Sequence, residues 1–305
     1  MPMRNIAILI LLVSMAVTST LAIFAANLLD LGYKAMDIAF IRLFVAVAVL
    51  FVIILITSRN SLRIDKKDIL FLILFGVFKY LMDYTFYLSL SMCTVSLASL
   101  LQNTSPYFVI IVSYFIFREK VSKMTLLSVM LGSFGCVLMS GKALLSSEFE
   151  PMGIVYAMLS AFCLAMFIIG SDRSQKKGYG AVTYLFYVLL VATIVAIPFA
   201  DVGAIASRAL EVDVLINSLV LGIAMTLLPF YVIAWSIKYI NSTTTSVICV
   251  LEVVFAALVG AFYFKEGLDI LDAAGILMMV GSIVLISKIE ADGDKKKQEQ
   301  EQTAV

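Results

Sequence analysis

Apolar runs of about twenty residues, the length that crosses a hydrocarbon core, recur along this 305-residue chain with short polar intervals between them. They fall at 5–27, 38–57, 69–90, 95–117, 122–140, 152–171, 181–200, 214–237, 243–264 and 269–287, and they predict ten membrane-spanning helices. The first run follows Arg4 and ends near Phe24-Ala25-Ala26, the outline of a signal peptide. It is read as a retained helix because the internal repeat described below requires it. Between residues 77 and 119 the apolar pattern is broken from within, by Lys79, Asp83, Gln102, Asn103 and Pro106. On the translocon scale a charge at the centre of a span costs about 2.5–3.5 kcal/mol, whereas a Leu or Phe returns about 0.3–0.6. A helix that carries both Lys79 and Asp83 therefore needs partners inside the protein.

The ten runs divide into two fives. At an offset of 146, Gly32-Tyr33, Ala35, Phe40, Leu43, Val45 and Ala46 lie over Gly178-Tyr179, Ala181, Phe186, Leu189, Val191 and Ala192. At an offset of 147, Tyr84, Ser99, Phe108, Val112, Phe115, Phe117 and Glu119 lie over Tyr231, Ser246, Phe255, Val259, Phe262, Phe264 and Glu266. A near-constant offset is an internal duplication, and an odd number of helices per half turns the second half upside down. The expected fold is an all-α integral membrane protein of ten transmembrane helices in two inverted five-helix repeats, 5–140 and 152–287. A seam at Ser146–Pro151 joins them, and the Lys-, Gln- and Glu-rich tail 288–305 is expected to be a disordered cytoplasmic end. Inverted repeats of this kind are the architecture of secondary transporters, with the site near the midplane where the halves meet.

Composition agrees with a polytopic membrane protein: 62% of residues are hydrophobic and 14% charged, against roughly 45–50% apolar usage in soluble domains. A net charge of +1 gives no footing for nucleic acid. With the N-terminus cytoplasmic, sixteen Lys and Arg fall on the cytoplasmic side and four on the other, which places both termini in the cytoplasm of a plasma membrane, the inner one in a Gram-negative cell. Histidine is absent, excluding a histidine relay or histidine metal site and leaving carboxylates to titrate near neutral pH. Cys93, Cys136, Cys163 and Cys249 lack CxxC spacing and read as packing residues. No Walker loop, nucleophile elbow or zinc motif is present, so the expectation is a protein that is not an enzyme, is not ATP-driven, and uses no cofactor or metal.

The phrases Ala98-Ser99-Leu100-Leu101-Gln102-Asn103-Thr104-Ser105-Pro106 with Glu119, and Leu251-Glu252-Val253-Val254-Phe255-Ala256-Ala257-Leu258-Val259-Gly260 with Glu266, resemble the fourth and ninth helices of EamA-type carriers of the drug/metabolite transporter superfamily. Arg42, near the start of the second helix, fits the same pattern. The resemblance runs from about residue 5 to 288 and implies transport of a small solute; the superfamily handles amino acids, nucleotide sugars, sugar phosphates, polyamines and drugs. One departure is Val253, where the family usually has proline. The ninth helix is therefore expected to lack a proline kink, leaving bends at Pro106 and Pro229.

At 100° per residue, Lys79, Asp83, Tyr87, Tyr80, Ser91 and Tyr84 share an arc of about 140° on the third helix. The arc either lines a site or, with Lys79 and Asp83 neutralising each other, clamps the helix to a neighbour. On the fourth helix Ser96, Ser99, Gln102, Asn103 and Pro106 share about 120°, and Pro106 removes the amide that would bond the Gln102 carbonyl. Glu252 stands mid-span without a basic neighbour on its own helix. It is protonated, and suited to proton coupling or to a cationic group, or it is paired to Lys79 or Arg42. Arg42 is expected to snorkel or to pair with Asp37. Glu119 and Glu266 read as turn caps, and Ser128-x3-Gly132, Ala256-x3-Gly260 and Gly275-x5-Gly281 as close-packing positions. The candidate substrate-binding set is Lys79, Tyr80, Asp83, Tyr84, Tyr87, Ser99, Gln102, Asn103, Pro106, Tyr231, Trp235 and Glu252, with Glu252 and Asp83 as candidates for proton coupling. The expected function is secondary transport, by alternating access, of a small polar or zwitterionic metabolite, foremost amino acids, with export the direction many relatives share. The alternatives are an exchanger of nucleotide-type or adenosyl metabolites, and a non-transporting scaffold or lipid-handling protein. The expected partners are a small-molecule substrate, the lipid bilayer and protons as coupling ion, with the chain a monomer or homodimer.

Overall fold

The computed structural model describes residues 2–57, 59–93, 95–116, 118, 121–139, 150–263 and 269–303. Every regular element among them is helical. The first half carries α1 (Pro2–Thr18), α2 (Leu21–Asp30), α3 (Ala35–Thr57), α4 (Ile69–Leu90), α5 (Val95–Gln102), α6 (Ser105–Phe115) and α7 (Lys123–Met139). The second carries α8 (Pro151–Lys176), α9 (Ala181–Ala196), α10 (Val202–Arg208), α11 (Val212–Leu219), α12 (Leu228–Ser236), α13 (Ser242–Cys249), α14 (Glu252–Tyr263) and α15 (Ile270–Thr303). Glu119, Glu266 and most of the seam, residues 146–149, lie outside the described residues.

Eight stretches are long and apolar enough to cross a membrane: Met3–Asp30, Ala35–Thr57, Lys66–Leu90, Pro151–Lys176, Ala181–Phe199, Val212–Ser236, Ser242–Val259 and Ile270–Ile289. The runs at 95–117 and 122–140 are the two expected spans missing from this set. The first divides into α5 and α6 at Asn103–Thr104, and the second is a 17-residue helix, Lys123–Met139. Large apolar side chains such as Ile56, Leu70, Phe115 and Leu277 are exposed on the outside of the bundle, as a lipid-facing surface requires.

Local geometry recurs between the halves at the offsets read from the chain. Gly32 and Gly178 both take positive φ, +92° and +91°. Each closes a helix with the same pair of bonds: Gly32 N to Leu29 O and Tyr33 N to Leu28 O in one turn, Gly178 N to Gln175 O and Tyr179 N to Ser174 O in the other. Only glycine takes this left-handed position without a Cβ clash. α5 covers 95–102 and α13 covers 242–249, an offset of 147, and both stop two residues short of the next helix. The first break precedes Pro106, which enters α6 in its first turn, where its missing amide costs nothing. The second break was not expected, because Val253 replaces the proline. There the chain tightens instead into three-residue bonds, Leu251 N to Ile248 O and Val253 N to Val250 O, and α14 begins at Glu252.

Two further departures, in the first span and in the tail, have plain causes, and the irregularity expected at Pro229 takes the form of a π-helix. The first span is interrupted at residues 19–20, where Thr18, Ser19 and Thr20 each return a hydroxyl proton to a carbonyl three or four residues back. Between α11 and α12 the segment Val220–Leu227 is a π-helix; Pro229 has no amide to give, and Leu228 N bonds back five residues to Ile223 O. α15 runs on as helix to Thr303, through the segment expected to be disordered, and its Lys, Gln and Glu residues are good helix formers. α7 and α15 pack backbone against backbone: a Cβ on Gly135 would sit 2.6 Å from Gly275 O, and Ser128 Oγ donates to Ser282 O at 2.7 Å.

Candidate functional site

The charges of the third apolar run meet in the middle of the bundle. On α4, Lys79 Nζ donates to Asp83 Oδ2 at 2.5 Å, with Lys79 0% and Asp83 7% exposed. The same ammonium lies 4.3 Å from the centre of the Phe230 ring of α12, where the ring face adds attraction. Arg42 of α3, 9% exposed, donates from Nε to Thr226 Oγ1 at 3.0 Å and from Nη1 to Tyr87 Oη at 3.1 Å. Thr226 is set by the π-helix, in which its hydroxyl donates to Leu221 O, five residues back, at 2.8 Å. Glu252 opens α14 and interacts electrostatically with Arg42, which also feels Asp83. Among the described residues the Glu252 side chain makes no hydrogen bond, and Glu252 keeps partial exposure. Two cations and two carboxylates thus sit together, drawn from α3 and α4 of the first half and α14 of the second, and braced by Thr226 and Phe230.

Arg42 corrects an expectation. It neither snorkels nor pairs with Asp37, whose carboxylate instead accepts Lys34 N at the start of α3 and Asp201 N from the far half. Thr226 and Phe230 were not among the candidates, yet the repeat marks them: they are the positions 147 residues beyond Lys79 and Asp83. Tyr80 and Tyr84 stand next to the charges in sequence and form a three-ring cluster with Phe199, at centroid distances of 5.3–5.6 Å. The Tyr80 hydroxyl is buried and has no hydrogen-bond partner among the described residues.

The other candidates have contacts elsewhere. Gln102 Nε2 donates to Ser160 Oγ at 2.7 Å, and Ser160 Oγ to Met82 O at 2.9 Å, tying α5, α8 and α4 together. Asn103 Nδ2 donates to Ser99 O at 2.8 Å, inside the same turn. Pro106 faces a cavity of about 10 Å³ with Val129, Gly132, Val250, Leu251 and Met279. The arc expected to unite these residues assumes one continuous helix, and the break at Asn103–Thr104 ends it. Tyr231 is 36% exposed, and Trp235 packs on Tyr239 at 4.9 Å.

Ionisable groups in a bilayer interior are costly and are kept where a solute has to be met. The class of protein so defined is a multi-pass membrane transporter. The chain belongs to the EamA-like transporter family, which it matches over residues 5–141 and again over 151–288. It is 25% identical over 277 residues to an uncharacterized transporter of Archaeoglobus fulgidus, covering 90% of this chain and 94% of that one. It is also 25% identical over 284 residues to the S-adenosylmethionine uptake transporter of Rickettsia prowazekii, covering 93% of each. With the pseudopaline exporter CntI of Pseudomonas aeruginosa it shares 23% identity over 257 residues, 83% of this chain and 86% of that one. A solved crystal structure has the same fold, with a TM-score of 0.76 at 16% identity over 95% of this chain and 99% of that one.

Proposed function

We propose that the protein is a secondary carrier moving a small polar or zwitterionic metabolite, amino acids foremost and outward from the cell, by alternating access between two inverted five-helix halves. The observation that carries this reading is the balance of sign in the buried cluster. Arg42 and Lys79 suit a substrate carboxylate, and Asp83 and Glu252 suit an ammonium, which is the charge pattern of an α-amino acid. Tyr87 and Thr226 hold Arg42 by neutral hydroxyls, so among the described residues no carboxylate hydrogen-bonds its guanidinium, and Tyr80 and Tyr84 form a wall for the uncharged part. Ser99, Gln102, Asn103 and Pro106 shape the broken helix beside it; Tyr231 is the most exposed member of the set. The ten-helix inverted architecture, with repeats at 5–140 and 152–287, is supported by the two family matches and by the paired glycine turns and paired helix breaks at offsets of 146 and 147. The distribution of Lys and Arg supports a plasma-membrane protein with both termini cytoplasmic.

Counterflow in proteoliposomes, with a panel of amino acids, amines, nucleotides and sugars, tests the reading. Saturable exchange of amino acids is expected. The panel includes S-adenosylmethionine, because Rickettsia relatives are named for its uptake and an adenosyl-bearing amino acid offers the cluster the same two charges. Flux of nucleotides or sugars alone would refute the amino-acid assignment, and absence of all flux would refute the carrier.

A further inference from the structure

The two copies of the Gly-Tyr turn dock differently, and the difference falls on one aspartate. At the end of the bundle that carries Gly178, Asp68 accepts a hydrogen bond from Lys177 Nζ and a second from Tyr179 Oη at 2.8 Å. The same tyrosine hydroxyl accepts Asp65 N at 3.0 Å, and Tyr187 Oη donates to Leu62 O at 2.7 Å. Asp68 is 4% exposed. It occupies the N-cap position of α4, yet its side chain makes no capping bond there; both its oxygens reach across to the other half. A residue serving only to start a helix would spend its carboxylate on the free amides of the first turn.

At the opposite end the positions equivalent to Lys177 and Asp68 are apolar. Leu31 stands where Lys177 does and Tyr33 where Tyr179 does, at an offset of 146, and Asp68 is replaced by Val214 or Leu215, at 146 or 147. Tyr33 packs with Leu28, Ile38, Ile41 and Val214, and its buried hydroxyl has no hydrogen-bond partner among the described residues. That end has polar ties too, Asp201 N on Asp37, Arg208 Nη1 on Leu31 O, Asn27 Nδ2 on Asn217 Oδ1 at 3.0 Å and Arg208 over the Tyr33 ring at 5.5 Å, but among the described residues no ion pair joins the two halves there, the Arg208–Glu211 pair lying within one half. The Gly178 end is held by a carboxylate, an ammonium and a phenol, contacts that can be exchanged for water when the end opens.

We propose that Asp68 is a positioning residue of the transport cycle: its bonds to Lys177 and Tyr179 form an ionic latch that keeps the Gly178 end closed and biases the protein towards opening at the Gly32 end. The assignment rests on the alternating-access reading. On the proposed orientation the latched end is cytoplasmic. Asp68 touches no residue of the central charged cluster, so the latch acts on the balance between states, not on solute contacts.

Amide hydrogen exchange of the full chain in lipid nanodiscs tests this without any substrate. In Asp68→Asn the exchange rates of residues 59–71 and 174–181 are expected to rise about tenfold, equivalent to about 1.4 kcal/mol, while those of residues 27–38 and 199–211 stay level or fall. Lys177→Gln, which leaves the tyrosine bond in place, gives a smaller rise with the same one-ended pattern. Exchanging the two charges, Asp68→Lys with Lys177→Asp, restores protection. An equal rise at both ends, as a general loss of stability produces, or no rise at the latched end, would overturn the proposal. Failure of the counterflow panel leaves this test standing, and a symmetric exchange result leaves the panel standing.

Discussion

Replacing Asp83 by Asn removes the hydrogen-bonded counter-ion of an ammonium that is 0% exposed. At 2.5 Å and an effective dielectric of about 20, the Coulomb attraction of the pair is about 7 kcal/mol, and desolvation of the two charges offsets most of it. What the variant exposes is the desolvation left uncompensated: Lys79 remains buried, with Arg42 close enough to repel it. Breaking such a pair costs about 3–5 kcal/mol; the Phe230 ring faces the ammonium with or without Asp83 and leaves that difference unchanged. The reverse variant, Lys79→Met, should cost about half as much, because Asp83 still has Arg42 as a neighbouring cation. Lys79→Met with Asp83→Leu should restore most of the stability, since neither charge is then stranded. Unfolding titrations in mixed micelles measure the three free energies, and counterflow measures transport in the same samples. Equal losses below about 1 kcal/mol in both single variants would refute the argument, because the pair would then be hydrated. A double variant that is stable and still transports would reduce the pair to a clamp between helices; a stable and inactive one assigns it to the solute.

Four further outcomes follow from the geometry. Glu252→Gln should abolish dependence of transport on a pH gradient, because Glu252 is the carboxylate of the cluster whose side chain makes no hydrogen bond among the described residues; unchanged dependence would remove it from coupling. Arg42→Lys keeps the charge but cannot hold the Thr226 and Tyr87 hydroxyls from one planar fork, so counterflow should fall about tenfold with little change in stability, and an unaltered rate would count against a role for Arg42. Tyr80→Phe removes a buried hydroxyl without a hydrogen-bond partner among the described residues and should raise stability by about 1 kcal/mol; a loss of stability would place a further partner on that oxygen. Gly135→Val brings a side chain onto the Gly275 carbonyl and should lower stability by about 1–3 kcal/mol in a detergent melt, whereas a neutral result would mean that α7 and α15 separate freely.

Much of the candidate site was legible because the bilayer makes polar side chains conspicuous. Lys79, Asp83 and Glu252 stood out as charges in apolar runs, and the i, i+4 spacing of Lys79 and Asp83 anticipated their bond. Gln102 and Pro106 stood out equally, but the single arc drawn through them does not exist: helical phase carries information only while the helix is continuous, and α5 stops at Gln102. Arg42 was visible as an arginine inside a span, but its nearest carboxylate in sequence, Asp37, was the wrong partner. Its hydrogen bonds run to Tyr87 and, 184 residues away, to Thr226. The repeat offset pointed to Thr226 and Phe230 as the counterparts of Lys79 and Asp83, a signal that could have found them.

The sequence by itself determined that this chain lives in a membrane, that its halves repeat at an offset of 146 to 147, and that its charges are not duplicated with them. Those properties are set by transfer free energy and by spacing, which are additive along a chain. Only the tertiary structure decided where the helices break, that Arg42 turns inward, and that Asp68 abandons its own helix end for Lys177 and Tyr179. These depend on which backbone and side-chain groups find partners across the bundle, and at Val250–Leu251 the helix stops without any proline to announce it.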